Sequence, residues 1–274
     1  MLFITISKNG IFSNMQNKLF SVKNKKILIT GASSGLGRHY ALTLANAGAF
    51  VIVCGRREQL LNEVVNEIKA NNGKAKMLIL DVTKFKESEE KLKELYSQIE
   101  GVDILINNAG CTARVKRPIL DVTLEDWDEI IDTNLKSVWN ISNITAKYMH
   151  KYSIKGSIIN ISSTVANRAR IGNSIYGISK SAVVSLTQKL ALEYAQFGIR
   201  VNAIAPGFFE TDINSAFVKS EAGQELLKRS IPVARKGEFD ELNGALFLFA
   251  SNASTYITGE CLFVDGGYII NSIV

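Results

Sequence analysis

The sequence predicts an α/β protein of a single domain, built on a doubly wound parallel sheet. Three observations carry that expectation. Short runs of β-branched and apolar residues recur with almost no polar interruption, as strands buried on both faces do. The segments between them return their apolar residues at helical spacing. No linker rich in Pro, Gly or Ser, no repeat and no low-complexity tract divides the 274 residues, which hold only three prolines, so one domain is expected rather than two.

In chain order, residues 1–20 are expected to be a tail outside the domain, because the first clear strand begins only at Ile27. Met15 offers an alternative start. Residues 21–274 then form the domain. Strands are expected at Ile27–Thr30, Phe50–Cys54, Lys76–Leu80, Asp103–Ile106, Ser157–Ile161, Arg200–Ile204 and Leu262–Val264. A helical pattern follows the first strand. Leu60, Leu61, Val64, Val65 and Ile68 make the apolar stripe of a helix after Arg57, and Leu92, Leu95, Tyr96 and Ile99 that of a helix before Gly101. Another helix opens after Thr123, with Glu125 and Asp126 in its first turn, where the helix dipole favours acids. A long one runs from about Tyr176 to Phe197 and stops at Gly198, a residue free to take the left-handed conformation that ends helices. A further helix spans about Glu238 to Ala250. The stretch 208–231 breaks the rhythm and is expected to be a flap. Strand and helix in alternation place helices on both faces of the sheet.

Composition excludes several classes. With 46% hydrophobic and 21% charged residues the chain is neither disordered nor membrane-embedded. Its net charge of +6 comes from lysines such as Lys86, Lys91 and Lys93 on polar helix faces. No basic run is interleaved with aromatics, so nucleic acid is not an expected partner. Cys54, Cys111 and Cys261 stand far apart, and neither His39 nor His150 joins a cluster, so no metal site is expected and a reducing cytoplasm is. No apolar run reaches bilayer-spanning length. Met1–Phe12 is broken by Ser7, Lys8 and Asn9 and lacks a basic leader, so it does not read as a signal peptide.

Directly after the first strand comes Thr30-Gly31-Ala32-Ser33-Ser34-Gly35-Leu36-Gly37. Strand, Gly-rich turn and helix in that order are what a pyrophosphate needs. Gly31 permits the tight turn, Gly35 lets backbone approach the phosphates, Gly37 lets the helix pack closely, and the helix N-terminus faces the anion. An ordinary strand-to-helix turn is the plainer alternative, but no Gly-Lys-Ser/Thr follows to suggest a nucleotide-triphosphate loop. The second strand ends Gly55-Arg56-Arg57. NAD preference usually places Asp or Glu there; arginine instead pairs a 2′-phosphate, so NADP(H) is expected, with NAD(H) still open. Surface charge at a helix start is the competing reading of the pair. Asp81-Val82, ending the third strand, is placed to bond adenine. Asn107-Asn108-Ala109-Gly110, ending the fourth, lets the chain pass beneath the cofactor.

Of the eight tyrosines, only Tyr176 has a lysine, Lys180, four residues on, so the two share a helix face. The pair opens the helix after the fifth strand, which sets it at the carboxyl end of the sheet, where ligands bind. Reducing a ketone adds hydride to carbon and a proton to oxygen. Free tyrosine has a pKa near ~10, and a nearby ammonium is expected to lower it. Ser163, ending the fifth strand, can bond the substrate oxygen, and Asn134 could join a proton path to solvent through Lys180 and a water.

Taken in order, these motifs resemble the short-chain dehydrogenase/reductase family: Thr30-Gly31-x-x-x-Gly35-x-Gly37, Asn107-Asn108-Ala109-Gly110, Asn134, Ser163, Tyr176-x-x-x-Lys180 and Pro206-Gly207. The resemblance covers about residues 20–270. It implies a Rossmann-type sheet of seven strands in the order 3-2-1-4-5-6-7. It also implies a Ser163-Tyr176-Lys180 catalytic set supported by Asn134, Ser163 being chosen over Ser162 by its thirteen-residue spacing from Tyr176. Lys180 would also hold the nicotinamide ribose, and Ile204-Ala205-Pro206-Gly207 with Thr211 the nicotinamide. Thr258-Gly259 and Val264-Asp265-Gly266-Gly267 resemble the family's C-terminal signature near subunit contacts, and a homotetramer is expected. Some NADP-preferring members carry a basic residue where Ser33-Ser34 stands, so here the cofactor preference rests on Arg56 and Arg57.

For the substrate, Phe208, Phe209, Ile213 and Phe217 suggest an apolar cover. Arg168 and Arg170, between Ser163 and Tyr176, are either anion ligands or ordinary loop arginines. The resemblance is to reductases of 3-oxoacyl thioesters and to gluconate-type sugar-acid dehydrogenases, and the apolar cover favours the former. A nucleotide-binding sensor or structural subunit without catalysis is the reading from another class. Such proteins lack the tyrosine or the lysine, and this chain keeps both.

Overall fold

The structure, a computed structural model, describes residues 18–112, 118–210 and 215–272, apart from the side chain of Phe217. Most of the expected tail therefore lies outside the described residues. Seven strands, β1 (Lys26–Thr30), β2 (Phe50–Gly55), β3 (Lys74–Ile79), β4 (Ile104–Asn107), β5 (Ser157–Ile161), β6 (Arg200–Pro206) and β7 (Cys261–Val264), form one sheet. All its pairings are parallel, in the order β3-β2-β1-β4-β5-β6-β7. This is the order the family resemblance implies.

Side chains alternate across a strand, and the two faces each bury a core. Ile27 and Ile29 of β1 face one side with α1 (Gly35–Asn46) and α2 (Glu58–Ala70). They share it with the last helix, Asn243–Ala250. Leu28 faces the other with α3 (Phe85–Ile99), the helix Ser137–Lys151 and the long helix Ser174–Tyr194. Each such fully buried aliphatic contributes about 1.5–3 kcal/mol. The third strand starts two residues earlier than its apolar run suggests. It is an edge, exposing Lys74 and Lys76, and outward lysines blunt an open strand edge.

Helix ends follow the local chemistry. In α4 (Leu124–Ile131), Thr123 Oγ1 accepts from Asp126 N at 3.2 Å and Asp126 Oδ2 accepts from Thr123 N at 3.3 Å, a reciprocal cap. A π-helical turn, Asp132–Lys136, joins α4 to α5 (Ser137–Lys151). The long helix, α6 (Ser174–Tyr194), passes through a 3₁₀ turn and stops at Gly198, whose φ is +71°. In the segment expected to be a flap, the described residues 215–230 are largely helical. They hold α7 (Ser215–Lys219) and α8 (Glu221–Ser230), the latter capped by Ser220 Oγ accepting from Gly223 N at 3.1 Å. The sheet closes with α9 (Asn243–Ala250) packed beside α1.

Candidate active site

The carboxyl ends of β1 and β4 are laced together. Thr30 Oγ1 accepts from the backbone of Asn108 at 3.1 Å and of Ala109 at 3.0 Å. Asn108 Nδ2 donates back to the carbonyls of Thr30 (3.0 Å) and Gly31 (3.2 Å). Gly31 has φ +67°, and a Cβ there would stand 2.8 Å from Ala109 Cα. A Cβ on Gly37 would stand 2.3 Å from the Gly31 carbonyl oxygen, so α1 can start this close to the turn only with glycine. A Cβ on Gly35 would meet nothing within 4 Å, so the space beside its backbone is open. No side chain caps the first turn of α1, so its amide groups are left for an anion.

Beside this turn lies an open cleft. Its lining includes Gly31, Ser33, Ser34, Gly35, Leu36, Arg56, Arg57, Asp81, Val82, Asn108, Ala109 and Gly110, all singled out in the sequence. Thr83, Cys111, Glu129 and Thr133 join them. They were not singled out, although Thr83, Cys111 and Thr133 adjoin Val82, Gly110 and Asn134. Arg57 reaches across to the turn, Nη2 donating to Ser33 Oγ at 2.7 Å and to Ser34 Oγ at 2.6 Å. Arg56 is more open, with Nη1 3.8 Å from Asp81 Oδ2. Burial raises the Asp81 carboxyl, but hydrogen bonds from Thr83 and the charges of Arg56 and Lys84 outweigh it, and the net direction is down. A glycine-walled turn, free helix amides and two arginines fit a dinucleotide with a phosphorylated ribose.

At the far end of the cleft the remaining residues converge. A Cβ on Gly110 would lie 3.3 Å from Asn134 Oδ1 and 3.5 Å from Lys180 Nζ. The π-helical turn carries Asn134 inward, fully buried. Its Oδ1 accepts from Cys111 N at 2.8 Å, and its Nδ2 donates to the Cys111 carbonyl at 2.9 Å and to Ser179 Oγ at 3.0 Å. Ser179 Oγ in turn donates to the Tyr176 carbonyl at 2.7 Å. Asn134 thus clamps the strand-β4 loop to the helix bearing Tyr176. Ser163 lies two residues beyond β5, its Oγ accepting from Val165 N at 3.4 Å, and its side chain acts to lower the Tyr176 pKa. Lys180 is buried, its Nζ donating to the Ile161 carbonyl at 2.8 Å and standing 5.7 Å from the Tyr176 ring centre.

Two expectations change here. The ammonium does not dominate Tyr176. Burial pushes its pKa up, opposed by the Ser163 hydrogen bond, while burial pushes Lys180 down to about 8. Lys180 is not among the influences that shift Tyr176, and burial outweighs the Ser163 contribution, so the net direction for the phenol is up. The two phenylalanines also part. Phe208 meets Tyr268 edge-on, ring centres 5.1 Å apart, whereas Phe209 packs in the core beside Phe239 and Gly237. The apolar cover expected of both falls to Phe208. Pro206 ends β6, and Gly207 is held against β7, its N–H donating to the Val264 carbonyl at 2.9 Å. Thr211 and Ile213 lie outside the described residues, as does the side chain of Phe217.

A glycine-walled dinucleotide cleft ending at a Ser-Tyr-Lys set on a seven-stranded parallel sheet defines a class. The family model described as enoyl-(acyl carrier protein) reductase matches residues 31–269, and the chain belongs to the short-chain dehydrogenases/reductases. It is an oxidoreductase. Among individual proteins it is similar to the 3-oxoacyl-[acyl-carrier-protein] reductase FabG of Thermotoga maritima. That protein is 36% identical over 251 residues, covering 91% of this chain and 99% of its own. It is also similar to the gluconate 5-dehydrogenase of Gluconobacter oxydans, 33% identical, covering 92% and 98%. The crystal structure of a gluconate 5-dehydrogenase from Burkholderia cenocepacia in complex with NADP and tartrate superposes with a TM-score of 0.89. It is 32% identical and covers 93% of this chain and 99% of that one. No helix among the described residues is long and apolar enough to cross a membrane.

Proposed function

We propose that this chain interconverts a ketone and a secondary alcohol with NADP(H), and that the ketone is a 3-oxoacyl thioester. The observation that carries the reading is the grouping of Tyr176, Ser163 and buried Lys180, whose Nζ lies 5.7 Å from the Tyr176 ring centre, at the end of the glycine-walled cleft. When bound, the nicotinamide supplies or takes the hydride. Gly31, Gly35, Leu36 and the first amides of α1 hold its pyrophosphate, with Gly37 permitting that approach. Ser33, Ser34, Arg56 and Arg57 hold the 2′-phosphate, and Asp81 and Val82 the adenine. Asn108, Ala109 and Gly110 would line its path, Tyr176 and Lys180 would hold the nicotinamide ribose, and Pro206, Gly207 and Thr211 would hold the nicotinamide.

In reduction, Ser163 Oγ donates a hydrogen bond to the substrate carbonyl, and Tyr176 delivers its phenolic proton to the same oxygen. Lys180, with a pKa near 8, sits close enough to neutrality to pass a proton on to the phenolate. Asn134 holds the loop and helix in register, and its amide is engaged at both ends, so any water-borne proton path would share Oδ1 with Cys111 N. Phe208 borders the acyl group. The similarity to 3-oxoacyl-[acyl-carrier-protein] reductases supports the thioester. A sugar acid is the second reading, favoured by the gluconate dehydrogenases among the similar structures. The cytoplasm suits three free cysteines, and we expect a homotetramer; a monomer by light scattering would refute that.

The test is turnover of acetoacetyl-CoA and of 5-keto-gluconate with NADPH and with NADH, read by nicotinamide absorbance. Acetoacetyl-CoA with NADPH is expected to be the favoured pair. Activity on keto-gluconate alone would reverse the substrate, and a clear NADH preference would reverse the cofactor.

A further inference from the structure

The loop between Ser163 and Tyr176 carries two arginines, and the structure treats them differently. Arg168 is half-buried. Its Nη1 donates to the Tyr268 carbonyl at 2.6 Å, and its guanidinium lies 4.5 Å from the centre of the Tyr268 ring. Arg170 is exposed, its guanidinium 5.2 Å from the centre of the Phe208 ring. Phe208 and Tyr268 touch edge to face. Four side chains from three segments thus form a row: Arg168, Tyr268, Phe208, Arg170. One end is tied by a hydrogen bond. The other ends in a guanidinium that, among the described residues, has no acceptor or carboxylate partner.

The position of that free end matters. Phe208 follows Pro206-Gly207 at the carboxyl end of β6, and the Arg170 loop leaves Ser163 at the carboxyl end of β5, the adjacent strand. Both border the edge of the sheet where Ser163 and Tyr176 meet. A guanidinium stays charged at any working pH and offers a planar fork of donors suited to carboxylate and phosphate oxygens. Resting on an aromatic face, it is partly ordered before a ligand arrives, which reduces the entropy lost on binding. Arg168 is less available, because it is half-buried and its Nη1 already holds the C-terminal turn through the Tyr268 carbonyl.

We propose that Arg170, seated on Phe208, receives the negatively charged group of the substrate and sets a preference for anionic carbonyl compounds. The inference rests on the carbonyl-reductase reading of the same site. A sugar-acid carboxylate and the phosphates of a CoA-type thioester share the chemistry Arg170 recognises. The experiment separates them.

Parent, Arg170→Gln and Arg170→Lys proteins are assayed on acetoacetyl-CoA, on 5-keto-gluconate and on the uncharged N-acetylcysteamine thioester of acetoacetate. The quantity read is the ratio of kcat/KM for each anion to that for the uncharged ester. Arg170→Gln is expected to lower that ratio about tenfold through KM for the anion the enzyme uses, and Arg170→Lys to recover part of it. A fall on acetoacetyl-CoA assigns the phosphate source, and a fall on keto-gluconate the carboxylate. Ratios unchanged for both anions, or an equal loss on the uncharged ester, overturn the role of Arg170 alone. A parent protein that turns over none of the three with either nicotinamide cofactor overturns the underlying reading, and this inference with it. Thermal melting of each variant checks the fold, and Arg170→Lys preserves charge and stem if the glutamine perturbs the loop.

Discussion

Replacing Asn134 by alanine should cost more than the loss of one polar side chain suggests. Its amide makes three hydrogen bonds, of 2.8, 2.9 and 3.0 Å, two of them to the backbone of Cys111. Truncation strands the Cys111 N–H and carbonyl, at about 1–3 kcal/mol for each group left unsatisfied in a buried place. Cys111 is only partly buried, so water recovers some of this. Ser179 Oγ keeps its bond to the Tyr176 carbonyl and adds little to the loss. The sum is about 2–4 kcal/mol, or roughly 4–8 °C in Tm for a chain of this size. Ser179→Ala removes the bond from Asn134 and the bond to the Tyr176 carbonyl and should cost about 1–2 kcal/mol. Because the two side chains share the first of these bonds, the double variant should fall short of additivity by about 1 kcal/mol. Urea or thermal unfolding followed by circular dichroism measures all three. A cost below about 1 kcal/mol for Asn134→Ala, or strict additivity, would refute the clamp.

Two further outcomes follow from the site's charges. Arg57→Ala should raise KM for NADPH about 10- to 100-fold, the worth of a charge-assisted hydrogen bond, with much less effect on NADH; equal effects on both cofactors would show that Arg57 only braces Ser33 and Ser34. Lys180 is held at about 8, below its unfolded value of 10.5, so the unfolded chain binds more protons between those values and stability rises with pH across that window. Lys180→Met removes the titration. Its stability relative to the parent should therefore decline as pH rises from about 8 to 10.5, a trend that unfolding at stepped pH would reveal or exclude.

The strands were legible because a sheet buried on both faces writes itself as apolar runs, and β5 matches its run residue for residue. The edge strand β3 was legible less well, since Lys74 and Lys76 face solvent and interrupt the pattern. The pair α7 and α8 was overlooked because it has few apolar residues. Ser220 as cap, Glu221 in the first turn and Lys228 and Arg229 in the last were signals present in the sequence. In the site, spacing found Ser163, Tyr176, Lys180 and the glycines, since each is set by local backbone demands. Spacing could not show that Arg57 lies on Ser33 and Ser34, that Arg168 is tied while Arg170 is free, or that Phe209 turns into the core. Those depend on side-chain directions fixed by packing. The direction of the Tyr176 shift was missed for a similar reason: four residues on a helix bring a lysine near, but they do not tell how deeply both are buried.

The claim that Tyr176 delivers the proton is tested most directly by Tyr176→Phe, assayed with saturating NADPH and acetoacetyl-CoA. The variant keeps the ring and loses only the hydroxyl, so circular dichroism should match the parent. A proton donor contributes about 10²–10⁴-fold, and kcat should fall by at least about 100-fold. A kcat within about fivefold of the parent would mean that the proton comes from elsewhere.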